Sequence, residues 1–396
     1  MINEALLAKD VQRFIYAHEN DDVHKLILQT KSFKECDIKE VVTQITSRKK
    51  TKQKLPKWYT TKNIIYPNPI SIEQSSSEAT AQFKASVVNG DSLIDITGGF
   101  GVDSYYFSEK ISHVTHVEIN PSLSAIAKHN FSQLSNKENI HFIAQDGVEY
   151  LKNSSQIYDW VYADPSRRHA TKGKVFKLED YQPNIDAILK LLGSKTKAIL
   201  LKTSPLVDIK LGISILKKVS KLYVVALKNE VKELLWVLED STPLPINEVP
   251  ISCINLGTKQ PVYTNTIANE QLTENNYGTL TGFLYEPNAA ILKAGFFKSI
   301  ATHYQLQKVA QHSHLYISAK KINFPGRHFK ISSCIAFNKK NLKAIPFKKA
   351  NISAKNFPLS VAEIRKKGNI KDGGKEYLFF TSDNTEKKII LVCAKL

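Results

Sequence analysis

Asp95, Gly98, Gly99 and Gly101 fall in the stretch Ser92-Leu-Ile-Asp-Ile-Thr-Gly-Gly-Phe-Gly-Val-Asp103, where a carboxylate precedes a loop of small residues. Glycines so spaced let the backbone turn tightly and bring N–H groups to one point, beside the positive end of a helix expected from Ser104. An anionic group such as a carboxylate or phosphate can sit there. Three more polar clusters follow: Glu118, then Gln145-Asp146, then Asp164-Pro-Ser-Arg-Arg168. An acid about 20 residues beyond a glycine loop is where a nucleotide site needs a carboxylate for ribose hydroxyls, and Glu118 stands at that spacing. The chemistry implied is recognition of a nucleotide-like group, with the loop after Asp164 available for the reaction.

Each cluster closes a short apolar run. Leu93, Ile94 and Ile96 precede the glycines, and residues 114–118, 141–144 and 158–163 have the same buried-strand character. The pattern predicts strands sharing a carboxyl edge, continued by a helix over 181–192, strands at 198–202, 223–227 and 251–256, and a helix over 231–238. Alternation of this kind argues for a doubly wound α/β layer over residues 60–260, followed by a linker at 259–277. Upstream, Leu6/Leu7, Val11, Phe14/Ile15 and later Ile38, Val41/Val42 and Ile45 recur at helical spacing, with Asp21/Asp22 and Asp37 placed as N-caps. The basic run 48–54 is expected to be a linker, or to touch phosphate. Three serines before Glu78 can cap a helix starting near Ser77, but capping needs only one of them. Residues 283–319 suggest a strand and two helices. The rest suggests short strands, a helix capped at Ser360 and a turn at Asp372-Gly-Gly.

Composition narrows the partner. The 396 residues carry a net charge of +18 and are 42% hydrophobic. From residue 320 to 396, 18 Lys+Arg face 5 Asp+Glu, so +13 of that charge lies in the last fifth, which points to a polyanionic partner, nucleic acid first. No apolar run reaches the roughly 20 residues that span a bilayer, and the start lacks a signal-peptide core, so no membrane association and a cytoplasmic location are expected. Cys36, Cys253, Cys334 and Cys393 form no C-x-x-C pair and lie away from the Asp164 loop. That argues against a zinc site, a disulfide framework and a cysteine nucleophile.

The order of these motifs resembles a class I S-adenosylmethionine-dependent methyltransferase. Asp95-x-x-x-Gly99-x-Gly101 matches its first motif, with Thr97 at a position often glycine, a form resembling RNA methyltransferases. Together with Lys54-Leu-Pro-Lys-Trp58, Gln74-Ser-Ser-Ser-Glu78, Asp164-Pro-Ser-Arg-Arg168, Tyr285-Glu-Pro-Asn-Ala-Ala-Ile-Leu-Lys-Ala-Gly295, Asn356-Phe-Pro-Leu-Ser360 and Asp372-Gly-Gly374, it resembles one bacterial family. Its members join such a methyltransferase to a ferredoxin-like and a THUMP-like domain. The resemblance implies an N-terminal helical region (1–60), a Rossmann-like α/β methyltransferase sheet (61–262), and two small α+β domains, ferredoxin-like (278–322) and basic THUMP-like (323–396). It implies S-adenosylmethionine as cofactor, with Gly99 and Gly101 against its methionine part, Glu118 on the ribose and Asp146 on the adenine amino group. Gln74, Ser75 and Ser76 would close over the methionine end; Asp95, Thr97, Asp103 and Asp164 complete the cofactor set. RNA, tRNA or rRNA, is the implied partner.

Asp164-Pro165 matches the start of the Asp/Asn-Pro-Pro-aromatic motif of amine methylation, with Ser166 and Arg167 in place of proline and aromatic. Asp164 and the carbonyls of Pro165 and Ser166 would hold an amino group, while Arg167 and Arg168 would clamp a phosphate or stack on a base. Other readings are a dinucleotide-dependent oxidoreductase, which lacks its third glycine at Ser104; an RNA-binding protein retaining the fold; and a protein methyltransferase, for which the basic terminus has no role.

Overall fold

The computed structural model describes residues 2–29, 33, 35–167 and 180–396, so Arg168 lies outside the described residues. The chain divides into two units, 1–220 with 234–243 and 221–233 with 244–396.

The first unit opens with helices α1 (Lys9–Ala17), α2 (Val23–Gln29) and α3 (Ile38–Lys54), whose Val11, Ile15, Leu26, Val41 and Ile45 share a core. Asp37 caps α3 by accepting from Lys39 N–H, as its position predicts. The basic run 48–54 is not a linker but the last turns of α3. Arg48 and Thr51 face inward, Lys50 pairs with Glu73, and Lys54 Nζ bonds the carbonyls of Ile72 and Glu73 at 2.9 and 2.6 Å. Short helices α4 (Pro56–Thr60) and α5 (Pro69–Gln74) lead to α6 (Glu78–Val87), which begins at a capping box between Ser77 and Thr80.

A parallel α/β layer follows: β1 (Ser92–Asp95), α7 (Val102–Ser108), β2 (His113–Val117), α8 (Pro121–Leu134), β3 (Ile140–Ile143), α9 (Gly147–Asn153) and β4 (Tyr158–Ala163). Next come a two-stranded ribbon of β5 (Ser166–Arg167) and β6 (Tyr181–Gln182), α10 (Ile185–Leu189), β7 (Thr196–Thr203) and α11 (Ile209–Leu216). The helix expected over 181–192 is shorter than the periodicity suggests, because Pro183 disfavours helix at Gln182 and Asn184 supplies the cap.

β8 (Val219–Leu227) runs through a two-residue turn into β9 (Glu230–Glu239), a strand where a helix over 231–238 was expected. Lys228 and Asn229 both take positive φ, 50° and 69°, the geometry of the favoured two-residue hairpin turn. Leu234 to Leu238 are buried without alternation, and such a run reads equally as buried helix or strand. Within the first unit the strands lie in the order β3, β2, β1, β4, β7, all parallel, followed by residues 234–239 of β9 antiparallel to β7. The chain winds outward in both directions from the β1/β4 junction. In such sheets the ligand crevice lies outside the strands' carboxyl ends at that switch point.

In the second unit residues 222–227 of β8 pair in parallel with β10 (Ile251–Leu256), and β10 pairs with β11 (Tyr263–Asn265). The expected linker 259–277 therefore contains β11 and α12 (Ile267–Leu272). Then come β12 (Phe283–Pro287), α13 (Ala289–Ala294), α14 (Ser299–His303), β13 (Gln307–Lys308), β14 (Tyr316–Ser318), β15 (Gly326–Ala336), α15 (Lys339–Lys343), β16 (Asn351–Ala354), α16 (Val361–Gly368), β17 (Glu376–Ser382) and β18 (Lys388–Lys395). The strands make one seven-stranded sheet in the order β13-β14-β12-β15-β18-β17-β16, so β12 bonds β15 directly. Side chains alternate across it: Phe379, Leu391 and Cys393 enter one core, while Leu378, Phe380 and Ile390 enter another that also takes Leu342 of α15 and Ile364 of α16. Among the described residues no helix is long and apolar enough to cross a membrane.

Candidate active site

A cavity of about 510 Å³ opens at the carboxyl edge of β1 to β4, within the range of small-molecule sites. Gly101 precedes α7 with φ +82°, a conformation that favours glycine. A Cβ at Gly98 would lie 2.4 Å from Nε2 of buried His116, and one at Gly147 would lie 2.2 Å from the Ile96 carbonyl. Both glycines are therefore required by close approach. The three glycine N–H groups are engaged inside the protein: Gly98 N donates to Val117 O at 2.9 Å, Gly101 N to Gly98 O at 2.9 Å, and Gly99 N to Glu118 Oε2 at 2.8 Å. Glu118 Oε1 accepts from Asn120 N at 2.8 Å. The anion on the glycine loop is thus Glu118 itself, in place of the external phosphate or carboxylate that the glycine spacing alone permits.

Gln74, Ser75, Ser76, Thr97, Gly99, Asp103, Glu118, Asp146, Asp164 and Ser166 all line the cavity; Asp95, Gly101 and Pro165 do not. The three serines divide the labour. Ser75 Oγ donates to Ile72 O, Ser77 caps α6, and Ser76 Oγ donates to Asp103 Oδ2 at 2.8 Å. Asp103 also accepts from Tyr162 OH at 2.9 Å and pairs with Nζ of fully buried Lys84 at 2.9 Å. Burial would push the Asp103 carboxyl up, but the charge and hydrogen bond of Lys84, the charge of Lys202 and the Ser76 hydroxyl hold it below the ordinary carboxylate value. Asp146 caps α9 through Oδ1, accepting from Val148 and Glu149 N–H. Asp164 Oδ2 pairs with Lys202 Nζ at 2.5 Å, and Asp164 N–H donates to Thr97 Oγ1 at 2.7 Å. Arg167 has its backbone in β5, and its side chain lies outside the described atoms.

Comparison with known proteins decides the family. The structure superposes with a TM-score of 0.88 and 30% identity on a candidate methyltransferase from Porphyromonas gingivalis W83, covering 100% of this chain and 99% of that one. This chain belongs to that methyltransferase family. A ferredoxin-like domain family matches residues 283–325 and a THUMP-like one residues 326–395. Among curated proteins, 79 residues are 38% identical to an uncharacterized RNA methyltransferase of Mycoplasma mobile, covering 20% of this chain and 21% of that protein. A further 141-residue match, 27% identical, is to a Methanobrevibacter smithii protein named as a cobalt-precorrin-6B C(15)-methyltransferase, covering 35% of this chain and 67% of that protein. The chain thus spans about a fifth of the first curated relative's length. The two names agree on methyl transfer and differ on the acceptor.

Several features of this methyltransferase escape the motif reading. Lys84 supplies the buried cation of the Asp103 cluster, and Lys202 sits on Asp164. Ile119, 58% exposed, and Leu123 add apolar wall beside Glu118. Lys84 did leave a signal, since helical spacing places it with Thr80, Ala81 and Ala85 on the buried face of α6.

Asp95 works from beneath the loop. Its Oδ1 accepts from Thr97 N–H at 3.0 Å and its Oδ2 from Ser104 Oγ at 2.6 Å. Burial pushes its carboxyl up to about 7, against the Ser104 and Thr97 hydrogen bonds and with help from the charges of Asp103 and Asp164. Between the ordinary value of 3.8 and about 7 the folded protein keeps a proton that the unfolded chain has lost. Stability from this group therefore falls as pH rises through that window, and the penalty is complete above it. Asp95→Asn stays neutral, so its melting temperature should gain on the wild type as pH rises from 4 to 8; a difference independent of pH would contradict the assignment.

Proposed function

We propose that this protein transfers the methyl group of S-adenosylmethionine to a base in tRNA or rRNA, at an amino nitrogen. The observation that carries the cofactor half is the bond from Gly99 N–H to Glu118, which fills the glycine loop with the protein's own carboxylate. A dinucleotide needs the glycine N–H groups for its pyrophosphate, and those of Gly98, Gly99 and Gly101 all bond within the protein; S-adenosylmethionine has no phosphate. The donor set fits it. Glu118 retains lone pairs for ribose hydroxyls, and Asp146 retains Oδ2 for the adenine amino group. Ile119 and Leu123 offer an apolar wall for the purine, while Asp103, held as a carboxylate near Gln74, Ser75 and Ser76, suits the ammonium end.

When bound, the cofactor supplies an electrophilic methyl group on a sulfonium. The chain's part is positioning, because attack must be in line and at near-contact distance. Asp164 Oδ1 and the carbonyl of Ser166 accept hydrogen bonds from the amino group and turn its lone pair toward the methyl. Lys202 fixes the Asp164 rotamer through Oδ2, and Thr97 anchors its backbone. The RNA half of the reading is supported by the exposed lysines of the second unit: Lys339, Lys340 and Lys343 on α15, and Lys366 and Lys367 on α16, make no ion pair among the described residues.

Tritium-labelled S-adenosylmethionine incubated with the protein and total bacterial RNA should label the RNA; label entering protein substrates alone would overturn the acceptor. Losing a charge-assisted hydrogen-bond pair costs about 1.5–3 kcal/mol, so Glu118→Ala should weaken cofactor binding roughly 10- to 100-fold by calorimetry. Unchanged affinity in a folded variant would remove Glu118 from the site.

A further inference from the structure

The N-terminal helices hold a groove of about 670 Å³ between the α1 segment, Arg48 of α3 and residues 59–63. The Arg48 guanidinium lies 4.4 Å from the Tyr16 ring centroid and 4.0 Å from that of Tyr59. It is only 7% exposed and pairs with buried Glu19, which also accepts from Tyr59 OH at 2.8 Å. This cluster ties α3 to the turn after α1, and that role accounts for Arg48, Glu19 and Tyr59. It does not account for Tyr16, 42% exposed with one ring face on the guanidinium and area left over for a ligand. Nor does it account for Lys9, Arg13 and Lys62, which line the same groove, are exposed and whose side chains have no hydrogen bond or ion pair among the described residues. Arg48 Nε, buried, also lacks an acceptor. Among the described residues no acid lines the groove.

We infer that this groove is a second RNA contact, in which an unpaired base stacks on Tyr16 and the flanking phosphates meet Lys9, Arg13 and Lys62. The inference rests on the RNA reading above and adds a site that reading does not use. A clamped aromatic ring beside unneutralised cations is the pattern that binds single-stranded nucleic acid. Every base has a π-face to stack and every linkage has a charge to meet. Guanidinium packed on one face of Tyr16 holds the ring in place before binding, which lowers the ordering cost.

The test uses the full-length protein and a short fluorescent single-stranded RNA. Tyr16→Ala should weaken binding by about 5- to 100-fold, the cost of one lost base stack. The double variant Arg13→Glu/Lys62→Glu should make the slope of log affinity against log salt shallower by at least about 1.4, two contacts at the single-strand value. Calorimetric affinity for S-adenosylmethionine should be unchanged in all variants, which separates loss of the groove from loss of the fold. RNA carrying 4-thiouridine, photocrosslinked to the wild type, should attach to peptides containing Tyr16 or Lys62. Wild-type binding that survives in both variants, or crosslinks that avoid both peptides, overturns the groove and leaves the RNA reading standing. A wild type that binds no RNA under any salt overturns both.

Discussion

Asp164→Ala is expected to lower kcat by about 10²- to 10³-fold, the usual cost of deleting one preorganised polar contact to a reacting group, while cofactor affinity stays within a few fold. Asp164 stands at the end of β4, across the switch point from the Glu118 edge of β2, and its Oδ1 is the one side-chain acceptor proposed for the amino group. A contact made mainly in the transition state is lost from kcat and kcat/KM together. The substitution also leaves Lys202 without its carboxylate, and its side chain is 17% exposed. Asp164→Asn is therefore the sharper comparison, since it keeps the size and one acceptor oxygen but breaks the ion pair. If both variants keep turnover, Asp164 serves only to hold Lys202. If both lose cofactor binding in step with turnover, it belongs to the cofactor's contacts alone.

The second large effect concerns the basic unit. α15 and α16 bury Leu342 and Ile364 against the sheet, and this leaves their lysines outward. If about five phosphates are neutralised there, those contacts should contribute about −3.5 to −4.5 to the slope of log affinity against log salt. Changing Lys339, Lys340, Lys343, Lys366 and Lys367 together to Glu should remove most of that contribution and weaken RNA binding roughly 100-fold or more at moderate salt. S-adenosylmethionine affinity, measured on the same variant, should not change. Charge reversal is the right probe because β12 pairs with β15. Cutting the chain between the two small domains would leave a sheet edge unpaired and confuse lost RNA contact with lost folding. An unchanged salt slope would make these lysines an ordinary solvated face.

The parts of this structure readable in advance are those where local chemistry leaves little choice. Three glycines after a run of buried apolar residues turn the chain at one point, and an acid after the next strand falls on the same edge whatever the rest of the chain does. β9 was misread because Val231, Leu234/Leu235 and Leu238 fit a helical repeat, while the deciding feature is a backbone one: positive φ at Lys228 and Asn229. The run 48–54 looked like a solvated tether because charge hides orientation. Arg48 turns inward to Glu19, and its neighbours Lys49 and Lys50 turn outward, a distinction set by the helical phase of α3. The Asp103–Lys84–Tyr162–Ser76 cluster joins residues from α6, α7, β4 and the turn before α6, and no spacing within one segment announces it. Charge, by contrast, was legible as a total and illegible as a surface until α15 and α16 were seen on one side of their sheet.

Mass spectrometry of modified nucleosides in RNA from cells with and without this gene tests the central claim most directly. A methylated nucleoside with its methyl on an exocyclic nitrogen should be present in tRNA or rRNA from the parent cells, absent on deletion, and restored by the wild-type gene but not by Asp164→Ala. Identical nucleoside profiles in both strains, under conditions where the protein is expressed, would contradict RNA methylation.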